Sequence, residues 1–312
     1  MSSERMDPSA VHEAVIADIA RLDRELAEMR TQLGDTGTDD AASFHQRLGH
    51  DPRWIAHDAA QIETWFNSAI HKVEPHISQY FRDLPSIPYS VAAVAPQYRA
   101  AVVNGLYIPA TRDNLRGTYY YNPSDLETTS WLWAAPLIYH ELLPGHHIQR
   151  SIQFRSNELS PYRRWLNLSG FGEGYAEYAR RMCEDMGVYD DDPWSLYASR
   201  LLDRRFAIGV ALDTGMQVRG WSVDQAEAFF AHDPLTKAAK RRQNVFTFAC
   251  DLPGYGTAYW RGGKVFDALK QSAQQHQGSS FNIRDYHYTL LNGGCLPFDA
   301  LRARLRRNGF TA

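Results

Sequence analysis

Pro144-Gly145 interrupts a segment, IYHELLPGHHIQ (138–149), whose surroundings are otherwise those of a helix. Proline removes a helical donor and clashes with the preceding turn, while glycine tolerates the distorted backbone that follows. What flanks the interruption gives it meaning. His140 is followed at once by Glu141, and His146 and His147 lie six and seven residues beyond His140. In the ordinary HExxH signature two histidines one turn apart converge on a zinc ion and the glutamate activates its water. In an unbroken helix His146 and His147 would stand roughly 9 Å and 10.5 Å along the axis from His140. That is too far to share an ion whose bonds are about 2 Å. The chain is therefore expected to leave the helix between the histidines. Read as a two-residue insertion into HExxH, Pro144-Gly145 returns His146 to the metal, with His147 as the alternative second ligand.

A third ligand is offered by SGFGEGYAEYARR (169–181). Glu173 and Glu177 are four residues apart on a predicted helix and share a face. Glu173 follows His146 by 27 residues, a spacing typical of zincins whose third ligand comes from a following helix. A carboxylate with two imidazoles leaves an open position for water, the catalytic rather than the structural arrangement. The expected ligands are His140, His146 and Glu173, with Glu141 as general base. Glu177 is a second-choice ligand, a group behind a ligand, or a surface ion pair. Zinc is the expected metal, with iron or another divalent ion open.

The rest of the chain sets the frame. Its 312 residues suffice for a sizeable core, and 44% hydrophobic with 22% charged residues is the composition of a globular protein. A net charge of -3 gives no electrostatic case for nucleic acid or an anionic membrane. The most apolar run, Trp131 to Tyr139, is too short to span a bilayer, and the polar N-terminus lacks a secretory signal. Three widely spaced cysteines argue for a reducing compartment, so a cytoplasmic location is expected.

Asp7-Pro8 predicts a helix start, after which Val15, Ile19, Leu22, Leu26, Met29 and Leu33 form one seam. The seam packs on the chain's own body or mediates a homodimer. The polar stretch 34–41 is the expected boundary between an N-terminal helix with linker (1–41) and a catalytic domain (42–312). A second amphipathic helix carries Ile62, Phe66, Ile70, Val73, Ile77 and Tyr80. Strand character is confined to Tyr89–Asn122, where Thr118 to Tyr121 is a candidate edge strand for extended substrate or part of a small structural sheet. Later come a capping box at Ser222–Gln225, a helix start at Asp233-Pro234, and two helical segments around DYHYTLL and FDALRARLRR. The expected fold is mainly α with one small β-sheet.

Residues 140–149 match HExxPGHHxQ, the hallmark of the bacterial domain-of-unknown-function 885 family, which the chain resembles over roughly residues 60 to 305. Further matches are Glu173-Gly174-Tyr175-Ala176, Asp213-Thr214-Gly215 before Gly220-Trp221-Ser222, Pro253-Gly254 before Tyr259 and Gly262, and His287 before Gly294-Cys295-Leu296-Pro297. The resemblance implies a zincin-like fold of the gluzincin type, an active-site helix followed by a glutamate-bearing helix. It also implies Tyr259 and His287 as donors to the reaction's oxyanion. Asp213 either orients a ligand histidine or caps a turn with Thr214.

Departures qualify the resemblance. Family members are usually longer, so a region that helps wall the cleft is expected to be missing. Gln217 stands where histidine is usual, Tyr255 replaces glutamine, and an Arg-Tyr pair is not recognisable. The metal set is kept while the substrate-facing set has drifted, which points to a small substrate. The expected function is zinc-dependent hydrolysis of a peptide or amide-like bond in a small molecule or short peptide. The alternatives are metal-dependent tailoring of a non-peptide metabolite in a biosynthetic pathway and a non-catalytic metal-binding module.

Overall fold

The side chain of Asp7 accepts from the Ser9 amide and starts α1 (Pro8–Gln32), as the Asp-Pro pair predicts. In the computed structural model, which describes residues 3–35, 40–102, 105–124, 126–231 and 241–311, α2 (Ala41–Gly49) and α3 (Ala59–Tyr80) follow. Residues 36–39, inside the expected linker, and Asp233-Pro234 lie outside the described residues. Strands β1 (Tyr89–Ala93), β2 (Gly105–Ile108) and β3 (Gly117–Tyr121) make one sheet in the order β1-β3-β2. β1 runs parallel to β3 and β2 antiparallel to it.

Helices make up the remainder: α4 (Ala134–Glu141), α5 (His146–Arg155), α6 (Pro161–Trp165), α7 (Ser169–Asp185) and α8 (Pro193–Arg219). They are followed by α9 (Val223–Phe230), α10 (Arg241–Phe246), α11 (Gly256–Gln277), α12 (Ile283–Leu291) and α13 (Phe298–Arg307). The Ser222–Gln225 capping box forms, and α12 and α13 fall on the two predicted late segments. The protein is mainly helical with one small sheet.

One core joins the sheet to α3, α4, α7 and α11: Tyr119 and Tyr121 of β3 pack with Phe66 and Trp131. A second places Val11, Val15, Ile19 and Leu22 of α1 against Ala207, Ile208 and Ala211 of α8. Leu26 continues the seam into a third cluster with Phe44, Tyr197 and Leu201. The apolar seam of α1 is thus filled by the chain's own body. No described helix is long and apolar enough to cross a membrane.

The sheet corrects one expectation. Thr118 to Tyr121 is not an edge: β3 is the central strand, paired on both sides, and the edges are β1 and β2, whose Tyr89 and Tyr107 both pack against His147 of α5. Helices α7 and α11 cross at glycines, where a Cβ on Gly174 would lie 2.6 Å from the Gly262 backbone and one on Gly262 2.6 Å from the Gly170 carbonyl. Only residues without side chains permit this approach.

Candidate metal centre

The helix breaks where Pro144-Gly145 requires it. α4 ends at Glu141, and α5 begins at His146 after a turn through Gly145 (φ -75°, ψ -131°). The turn folds back onto α4 so tightly that a Cβ on Gly145 would lie 1.8 Å from the His140 carbonyl oxygen. Glycine is needed here for close approach, not for a left-handed backbone. Tyr175 of α7 donates its hydroxyl to the Pro144 carbonyl (3.1 Å) and holds the turn in place.

This detour brings the His140 and His146 rings to 4.7 Å between centroids, edge to face. Their Nε2 atoms face Glu173 Oε2 at 3.5 and 3.3 Å, and one ligating atom from each of the three residues lies within 4.8 Å of the others. Glu173 Oε2 is buried and receives no hydrogen bond. A buried carboxylate oxygen without a donor, facing two imidazole nitrogens, suits a divalent cation at their common point.

The electrostatics agree. Burial alone would raise the Glu173 pKa, but His146 and His140 hold the carboxyl well below the usual range. Burial opposes the charged form of His140, yet Glu173 and Glu177 outweigh it and push the imidazole up to about 10. Burial raises Glu141 above the ordinary carboxylate range against the pull of His140 and His146.

Supporting groups sit behind the three. Glu177 Oε1 meets His140 Nδ1 at 2.7 Å, while its Oε2 accepts from Arg180 Nη2 at 2.6 Å. Arg180 also donates to Asp203 (2.6 Å), so the carboxylate behind the imidazole is itself anchored. Tyr255 donates to Glu173 Oε1 at 2.8 Å. The Tyr259 ring stacks between Phe206 (4.3 Å) and His140 (5.9 Å). Burial holds both tyrosine hydroxyls above their ordinary pKa, so they remain donors.

Three sequence candidates lie elsewhere. His147 is not in the triad: Tyr107 Oη lies 3.0 Å from its Nδ1, and its Nε2 lies 3.0 Å from the Ile87 carbonyl, tying α5 to the sheet. Successive helical residues point about 100° apart, so only one of the pair can face Glu173. Asp213 does not orient a ligand; its Oδ2 accepts from the Gly254 amide (2.5 Å) before α11, and it lines a separate cavity with Gln217. The carboxylate behind the His140 ring is Glu177. His287 does not face the cleft: it is fully buried, with Nε2 2.7 Å from the Tyr178 hydroxyl and Nδ1 2.8 Å from the Tyr80 carbonyl.

The triad opens on a cleft of about 380 Å³, also lined by Glu141, Tyr107, Gln149, Arg150, Asn167, Tyr255 and Tyr259. Tyr107, Arg150 and Asn167 are liners that the motifs do not name, and Tyr255, which the motifs mark only as a departure, turns out to bond Glu173. Spacing offered a signal for Arg150, one turn beyond His146, and for Tyr255, one turn before Tyr259. Tyr107 carries no such signal, because only the sheet brings it to α5.

The sequence profile of a bacterial protein family of unknown function, DUF885, matches residues 2–305. The likeness therefore extends through α1, beyond the stretch that the motifs cover. Among curated proteins none matches the chain. Two solved structures share the fold. A "putative lipoprotein" from Colwellia psychrerythraea is 22% identical with a TM-score of 0.91, over 97% of this chain and 52% of its own. A "putative lipoprotein of unknown function" from Shewanella oneidensis is 19% identical with a TM-score of 0.76, over 96% of this chain and 57% of its own. The chain thus spans little more than half the length of either.

Proposed function

The chain belongs to the bacterial family of unknown function DUF885, and from that premise we propose that it is a zinc-dependent hydrolase of a peptide or amide-like bond in a small substrate, built on a zincin-like fold. The observation that carries this is the convergence of His140, His146 and Glu173 around a buried carboxylate oxygen that receives no hydrogen bond. Those three residues would hold the ion. A divalent ion bound there supplies Lewis acidity to the scissile carbonyl and to the attacking water.

The chain's own residues account for the rest. Glu141 lines the cleft directly after a ligand, with a pKa raised by burial, which makes its carboxylate a stronger base. It takes a proton from the attacking water and passes it to the leaving nitrogen. The hydroxyl of Tyr259 is the donor for the developing oxyanion, and Tyr255 fixes Glu173. The β2 edge offers backbone groups to an extended substrate, the role of a sheet edge in strand addition. His147 holds that edge to α5 through Tyr107.

Metal-dependent tailoring of a small non-peptide metabolite is the second reading. Its support is the cleft volume, about 380 Å³, near the lower end for ligand pockets. Iron in place of zinc would favour it. The test combines metal analysis with a base-deleting variant. About one divalent ion per chain is expected, falling sharply in His140→Ala. Glu141→Gln should keep its metal and lose ~10²–10⁴-fold in hydrolysis of a short-peptide panel. Full metal content in His140→Ala would end the ligand assignment, and near-wild-type turnover in Glu141→Gln would remove Glu141 as the base.

A further inference from the structure

Arg150 is the one cation lining the cleft outside the histidines of the metal triad, among the described residues. It is half-buried, and its Nη1 donates to Gln153 Oε1 and the Leu166 carbonyl, both at 3.2 Å. Both acceptors are neutral. By contrast Arg180, Arg181 and Arg200, on the neighbouring helices α7 and α8, each pair with carboxylates. An arginine held at the wall of a cleft by neutral acceptors keeps donor capacity for an anion. Its planar fork is the group best suited to take a carboxylate through two parallel hydrogen bonds.

The position fits the chemistry next to it. Arg150 is four residues after His146 on the regular helix α5, so it shares the face of the metal ligand about 6 Å further along the axis. One extended residue spans ~3.3–3.6 Å. The offset between the two helix positions thus matches one or two extended residues, the separation of a substrate carboxylate from a bond held at the triad. Apart from the tyrosines, the other ionisable liners, His140, Glu141, His146 and Glu173, are those assigned to the metal and the base.

We propose that Arg150 binds a free carboxylate of the substrate, so that the class acted on is a short peptide or N-acylated amino acid with its carboxylate one or two residues beyond the scissile bond. This rests on the hydrolase reading for which bond is cut. The recognition itself can be measured without turnover.

The experiment measures binding of N-acetylated dipeptides and of their C-terminal amides to the zinc-loaded Glu141→Gln protein, by calorimetry. The carboxylate form is expected to bind about tenfold to a hundredfold more tightly, the scale of a charge-assisted pair. Adding Arg150→Gln should bring the two forms within about threefold while zinc content is unchanged, and Arg150→Lys should give an intermediate preference. A purely structural Arg150 would shift the melting temperature of its variants and leave the preference alone. Equal affinities before the Arg150 change, no binding of either form, or a preference surviving in Arg150→Gln would overturn the assignment. If Arg150→Gln does not fold, the comparison before the change and Arg150→Lys still decide it. Carboxylate-selective binding without hydrolysis in the wild type would instead count against the hydrolase reading alone.

Discussion

Glu177 stands between His140 and Arg180 and gives one oxygen to each. A carboxylate behind a ligating imidazole fixes the ring and raises its basicity. Glu177→Gln is therefore expected to keep the fold and lower zinc affinity about 10–100-fold, as read by competition with a chelator. Unchanged affinity would exclude Glu177 from the site. The same cluster sets a pH dependence. In the metal-free protein burial disfavours the His140 imidazolium, but Glu173 and Glu177 keep its pKa at about 10. Binding a metal displaces that proton. Below that pKa, affinity should rise with pH, by about tenfold per unit for this one proton. A flat profile between about pH 6 and pH 8 would show that no such proton is released. At this scale the grouping of His140, His146 and Glu173, with Glu141 beside it, was legible from residue type and spacing. Tyr107 was not, because its nearness to His146 and His147 is a contact across distant parts of the chain.

Among elements, the break between α4 and α5 does most to build the site. Its existence follows from Pro144-Gly145, whereas its tightness follows from the return of Gly145 to the His140 carbonyl. Any β-carbon there overlaps backbone, so the turn must move. Gly145→Val is expected to abolish or strongly weaken metal binding by parting His146 from His140, even though the Gly145 φ is negative. Retained stoichiometric zinc in a folded Gly145→Val protein would mean that the turn can relax without the ligands. The crossing of α7 and α11 has the same character. Gly174 and Gly262 read in sequence as weak motif glycines, but their contact sets how closely Tyr255 and Tyr259 of the α11 region approach Glu173.

Across the whole molecule, α1 belongs to the body that carries the site. Its seam is buried on α8, and α8 supplies both Asp203 to the Arg180 network and Phe206 beneath Tyr259. Leu22 is 1% exposed in that seam. Leu22→Ala should cost about 2–5 kcal/mol of stability, the range for emptying a leucine site in a core. The check is denaturant unfolding, and a loss below about 1 kcal/mol would mean that α1 is only loosely held. Legible in the sequence were the mainly helical class, the broken helix that carries His140 and His146, the nomination of Glu173 and the seam of α1. These depend on periodicity, on proline and glycine, and on ligand chemistry, all of which act within a few helical turns. Packing between distant segments settled what spacing had left open: His146, the favoured candidate, joins the triad and His147 does not, Glu177 and not Asp213 stands behind His140, and β3 is central rather than an edge. It also withdrew His287 from the cleft and brought Tyr107 and Arg150 into it. Which way a side chain points after a backbone break, and which helices meet at a glycine, depend on packing between segments far apart in the chain, where local pattern carries no information.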